Sequence, residues 1–124
     1  MPIILQVGLG GAIGAMLRYG SVKSVVQLLG LGFPYGTLFV NVVGSLIMGA
    51  LVVYLLEKTN GRLSPFLMTG ILGGFTTFSA FSLDAVGLME KGRLMAAMIY
   101  MGGSVVLAVA ALFAGMALTK ALMT

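Results

Sequence analysis

Thr37, Asn41 and Ser45 recur at intervals of four residues in an otherwise apolar stretch, so they share one face of a helix. Their side chains are neutral hydrogen-bond groups, and the Asn41 amide offers two N–H donors without a charge. Such donors suit an anion that must bind and then leave. They equally suit hydrogen bonding between membrane helices, and the spacing alone leaves both roles open. Further along, Phe78 and Phe81 stand at i, i+3, as do Ser79 and Ser82, which places rings and hydroxyls on neighbouring strips of a helix. An aromatic ring has a positive edge that can meet an anion. Immediately before them, Gly73-Gly74 and Thr76-Thr77 predict a break in the helix. Non-helical backbone at membrane depth survives only when buried in protein or lining a polar path, so an interrupted span points to a site.

The elements that position these residues must be membrane helices. The chain has 124 residues, 60% hydrophobic and 8% charged, with a mean hydropathy of +1.14; a soluble domain carries about 25% charged residues. With Cys 0 and His 0 there is no disulfide framework, no thiolate or imidazole metal site and no nucleophile–histidine pair. Glu57, Asp84 and Glu90 are the acids, too few for metal-centred or acid–base catalysis, so no enzymatic activity is expected. The net charge of +4 comes from scattered Lys and Arg without a basic run, which argues against nucleic acid as a partner.

About 20 apolar residues cross a bilayer as a helix. Four segments qualify: about 3–29, 36–56, 65–89 and 94–121, forming a single four-helix membrane domain over residues 1–124. Gly30 to Tyr35 is read as a turn and Glu57 to Arg62 as a solvated loop. Pro65 suits the first turn of the third helix, and Glu90 to Arg93 is a tight polar link. The N-terminal apolar run lacks a basic lead-in and is expected to stay as a span. Gly10 with Gly14 and Gly11 with Ala15 put flat faces on the first helix for close packing. The ten methionines read as adaptable packing. Arg18 lies within the first span and must face water or a partner group, or reach up to the interface. Lys58, Arg62 and Lys120 on one side balance Lys23, Lys91 and Arg93 on the other. A chain without this bias can insert both ways, and oppositely inserted copies can pair about a two-fold axis in the membrane plane; alternatively another factor fixes one orientation.

The segment Gly73-Gly74-Phe75-Thr76-Thr77-Phe78-Ser79-Ala80-Phe81-Ser82 resembles the GGxTTFSTF signature of the small fluoride channel family called Fluc or CrcB. In matching order, Gly10-Gly11-Ala12-Ile13-Gly14-Ala15-Met16-Leu17-Arg18-Tyr19 resembles its GGxxGAxxRY, and Gly36-Thr37-Leu38-Phe39-Val40-Asn41-Val42-Val43-Gly44-Ser45 its GTLxVNxxG. The resemblance implies an all-α antiparallel homodimer of four-helix subunits, the third helix broken near its middle. The implied activity is passive, fluoride-selective export of intracellular fluoride across the cytoplasmic membrane. It implies that Phe78 and Phe81 flank the fluoride path, with Asn41, Ser82, Thr37, Thr77 and Ser79 as donors, and that Arg18 and Asp84 lie in a vestibule. It also implies a structural Na⁺ at the dimer interface, held by the backbone carbonyls of Gly73 and Thr76. The chain departs from the pattern in two places. Asp84 stands where relatives often have Glu, and the fourth helix carries Tyr100 and Ser104 but Gly102, Val106 and Ala110 where relatives can have a polar track. Two rival readings are a proton-coupled exporter of the small multidrug type, which needs an acid in the first span where this chain has Arg18, and a non-conducting membrane assembly subunit, whose polar groups would be scattered.

Overall fold

The computed structural model describes residues 1–30, 32–58 and 61–123; Leu31 of the first turn and Thr59 and Asn60 of the second link lie outside the described residues. The chain is all helical. Helix α1 spans Ile3–Leu29 and ends on Gly30, whose φ of 84° is open to glycine and whose N–H closes onto Val26 C=O. Helix α2 spans Tyr35–Lys58. The third span starts with a π-wound segment, Pro65–Leu72, continues through a short α3, Gly73–Phe75, and resumes as α4, Ser79–Glu90. Gly92, at φ 76°, turns the chain into α5, Leu94–Met123. Among the described residues, four spans are long and apolar enough to cross a bilayer. They are helical because lipid offers peptide groups no partners, so each segment must satisfy its own. Many large apolar side chains of the spans, such as Leu83, Val106 and Phe113, are exposed, as a lipid-facing surface requires.

Two glycine seams hold the spans together. Along the first, α1 lies backbone to backbone against the π-wound segment and α3. A Cβ at Gly10 would strike Phe66 C=O, one at Gly14 would strike Ile71 C=O, and one at Gly74 would come within 2.5 Å of Gly11 C=O. The close packing predicted for Gly10 and Gly14 is thus observed. The seam also explains the double glycine: Gly73 and Gly74 remain helical, and the chain leaves the helix only at Thr76, whose φ and ψ are −85° and 159°. Glycine therefore serves close approach to α1, while the threonines make the break.

The second seam joins α2 to α5. A Cβ at Gly49 would fall on Leu112 C=O, and one at Gly115 on Leu46 C=O. Backbone cannot step aside as a flexible side chain can. Gly49→Ala is therefore expected to cost about 1–3 kcal/mol, the usual range for overpacking a core. Gly102→Ala, where nothing lies within 4 Å, should be neutral or slightly stabilising in this subunit. Thermal unfolding of the purified protein in detergent distinguishes the two.

Candidate functional site at the broken span

The break is built from hydrogen bonds that replace the helix ladder. Thr76 N–H and Thr76 Oγ1 both donate to Leu72 C=O at 2.9 Å, completing the last turn before the exit. The next peptide is clamped from the opposite helix. Thr77 N–H donates to Asn41 Oδ1 at 2.8 Å, and Asn41 Nδ2 donates to Thr77 C=O at 3.0 Å. Thr77 Oγ1 then accepts from Ala80 N–H at 3.2 Å, starting α4 as a capping hydroxyl does. One end of the gap is closed by a cation: Arg18 Nε donates to Gly74 C=O at 3.0 Å, at the negative end of the preceding half-helix. Arg18 therefore does not simply reach up to the interface; its guanidinium is tied to the break.

These bonds leave two carbonyls without their helical donors. The amides that an α-helix would bring onto Gly73 and Thr76 C=O are those of Thr77 and Ala80, and both are bound elsewhere. Neutral carbonyl oxygens released in this way are suitable ligands for a hard monovalent cation.

Beside the break is a cavity of about 290 Å³, whose walls include Asn41, Ser45, Thr76, Thr77, Phe78, Phe81 and Ser104. Its polar lining is uncharged. One of the two Asn41 N–H donors is on Thr77, so one remains for a ligand. Ser104 Oγ is buried and has no hydrogen-bond partner among the described residues. An unsatisfied hydroxyl in a membrane protein is costly, and here it lines a cavity. Along one side the aromatic rings form a row: Phe78 to Phe81 at 5.5 Å between centroids, and Phe81 to Tyr100 at 5.2 Å.

At the end of that row Asp84 Oδ2 accepts from Thr37 Oγ1 at 2.7 Å and lies 3.4 Å from Tyr100 OH. Asp84 is thus engaged by α2 and α5 within the subunit. A second cavity, of about 450 Å³, is lined by Arg18, Lys23, Gln27, Thr37, Thr77 and Ala80 among others, so Thr77 stands between a neutral chamber and one bearing two cations.

Of the residues singled out from the sequence, Asn41, Thr77, Phe78 and Phe81 converge on the first cavity, joined by Ser45. Thr37 faces Asp84 and the second cavity. Ser82 Oγ donates to Phe78 C=O at 3.0 Å, an i−4 bond within its own helix, and Ser82 is not among the walls of either cavity. Ser79 is exposed at the start of α4, also outside both. From the fourth helix, Ser104 lines the first cavity and Tyr100 OH lies 3.4 Å from Asp84 Oδ2. Their i, i+4 spacing in a helix with few other polar residues was the available signal.

The family model described as CrcB-like protein, Camphor Resistance (CrcB), matches residues 5–116. This chain belongs to the CrcB family. Curated relatives named "Fluoride-specific ion channel FluC" include one from Cereibacter sphaeroides, 58% identical over 94% of each chain. Another, from Rhizobium meliloti, is 48% identical over 98% of this chain and 99% of its own. A third, from Rhodopseudomonas palustris, is 52% identical over 95% and 97%. The CrcB chain described here is accordingly a multi-pass membrane protein.

Proposed function

We propose that this chain forms a passive fluoride channel in the cytoplasmic membrane, working as an antiparallel homodimer and carrying out no covalent chemistry. The observation that carries the reading is the chamber at the break, where an asparagine N–H, the unpartnered Ser104 hydroxyl and two phenylalanine rings converge without any charge. Fluoride is small and tightly hydrated, so a path must replace its water with close donors that hold it only weakly. Neutral N–H and O–H groups, with positive ring edges, meet that requirement; a lysine in the chamber would retain the ion. Arg18 and Lys23, in the neighbouring cavity, raise the local anion concentration before the chamber is reached.

The balanced Lys and Arg on the two sides support insertion in both directions. A Na⁺ ion would be held by the Gly73 and Thr76 carbonyls that the break releases, and when bound it supplies a positive charge joining these backbones. The residues themselves do the rest: Asn41 holds the break open, and Arg18 stabilises the half-helix end beside it.

Purified protein in liposomes loaded with fluoride and chloride tests this directly. A fluoride electrode should record rapid efflux while chloride is retained; vesicles that hold their fluoride would refute the channel. Ser104→Ala sharpens the site assignment. Because its hydroxyl has no protein partner, its removal should leave the unfolding temperature unchanged or raised, yet slow fluoride efflux about five- to tenfold, the loss of one hydrogen bond of about 1–1.5 kcal/mol.

A further inference from the structure

The ring row does not end at Tyr100. Phe33, in the link between α1 and α2, meets Tyr100 edge-on, with centroids 5.5 Å apart and planes at 88°. It packs over the buried cluster of Ala85, Leu88, Ala97 and Tyr100, which joins α4 to α5. Although this cluster lies close to the start of α5, Ala97 is 0% and Tyr100 1% exposed. Phe33 is among the partly buried side chains covering it.

Phe33 is held from both sides. The Arg93 guanidinium, in the turn between α4 and α5, donates to Gly32 C=O. Arg93 itself is anchored, its N–H donating to Leu88 C=O at 2.9 Å. On the other side Pro34 restricts the chain, Phe33 C=O accepts from Tyr35 N–H at 2.7 Å, and Pro34 C=O accepts from Leu38 N–H at 3.2 Å. Beneath the ring, Tyr100 OH is 3.4 Å from Asp84 Oδ2, a long contact whose aim depends on what steadies the ring. Phe81 and Phe33 both pack against it, with centroids at 5.2 and 5.5 Å.

We propose that Phe33, clasped by Arg93, is a positioning residue for the Tyr100–Asp84 end of the path: it fixes the Tyr100 ring and keeps surface water from the cluster below. The effect on flux rests on the channel reading; the exclusion of water does not. The chain has no cysteine, so a single introduced thiol reports cleanly. Ala97→Cys places it in the covered cluster, and a membrane-impermeant methanethiosulfonate reagent should modify it slowly. Adding Phe33→Ala should speed modification about tenfold or more, and adding Arg93→Ala, a change at an exposed side chain, should do so in a protein that keeps its fold. In liposomes made without the reporter, Phe33→Ala should slow fluoride efflux about tenfold and Arg93→Ala about fivefold, while the double variant is no slower than Phe33→Ala, because both act through one ring. Equal thiol protection in all backgrounds overturns the cap, and multiplying effects on flux overturn the clasp. Unmodified protein that passes no fluoride would refute the channel, leaving the thiol rates to judge the cap.

Discussion

Asn41→Leu is expected to abolish the folded protein. Leucine shares the branching of asparagine at Cγ, though it is bulkier, but it neither accepts from Thr77 N–H nor donates to Thr77 C=O, the two bonds that Asn41 makes at 2.8 and 3.0 Å. Each peptide group left unpaired at membrane depth costs several kcal/mol. Two together approach the whole stability of a typical protein, about 5–15 kcal/mol. Little monodisperse protein should survive extraction, and any that does should unfold far below the parent temperature. Asn41→Asp separates the structural from the conducting role. It retains an acceptor for Thr77 N–H, but it sets a carboxylate against Thr77 C=O and puts a negative charge in the neutral chamber. Recoverable protein is expected, with fluoride efflux down at least about a hundredfold, equivalent to about 2.7 kcal/mol. A leucine variant as stable as the parent would mean that the break draws its hydrogen bonds from elsewhere.

Asn41 also shows how far the sequence could be read. Its helix, its face and its neutral donors follow from an apolar run and a four-residue interval, because lipid admits few structures and these patterns belong to one helix. What the patterns cannot convey is which helix lies opposite. Asn41 meets Thr77, Thr37 meets Asp84 and Arg18 meets Gly74, all pairs distant in sequence. For Arg18 the sequence leaves attracting anions, supporting the fold and snorkelling all open, and the structure ties it to the carbonyl end of a half-helix. The break itself was placed correctly but explained incompletely. Its glycines looked like loosening agents until α1 was seen against Gly74, and the exit at Thr76 depends on an asparagine from another span to bind the peptide that follows. Ser82, which the resemblance offers as a donor to the path, shows a local contact that spacing does not convey: within the subunit its hydroxyl bonds back to the Phe78 carbonyl four residues earlier, as a serine in a helix readily does.

The aromatic row supports the other large expected effect. Phe78 is 77% exposed in the subunit, so Phe78→Ile removes little beyond its one ring pair with Phe81 and should lower stability by no more than about 0.5–1.5 kcal/mol. Phe81 is different, lying between Phe78 at 5.5 Å and Tyr100 at 5.2 Å, and ring pairs of this kind contribute about 0.5–1.5 kcal/mol each beyond their buried area. Phe81→Ile should therefore lower stability by about 1–3 kcal/mol and still leave a folded protein. Isoleucine keeps the apolar bulk in both cases but has no positive edge. If ring edges carry a partly dehydrated fluoride past the chamber, both variants should slow efflux about a hundredfold or more, a barrier increase of about 2.7 kcal/mol, despite their unequal costs in stability. Bulk alone as the requirement would reverse that pattern, with Phe78→Ile conducting normally and Phe81→Ile losing flux only as far as it loses fold. Paired measurement of unfolding temperature and fluoride efflux on the two variants decides between them, and normal efflux in both would remove the rings from the path.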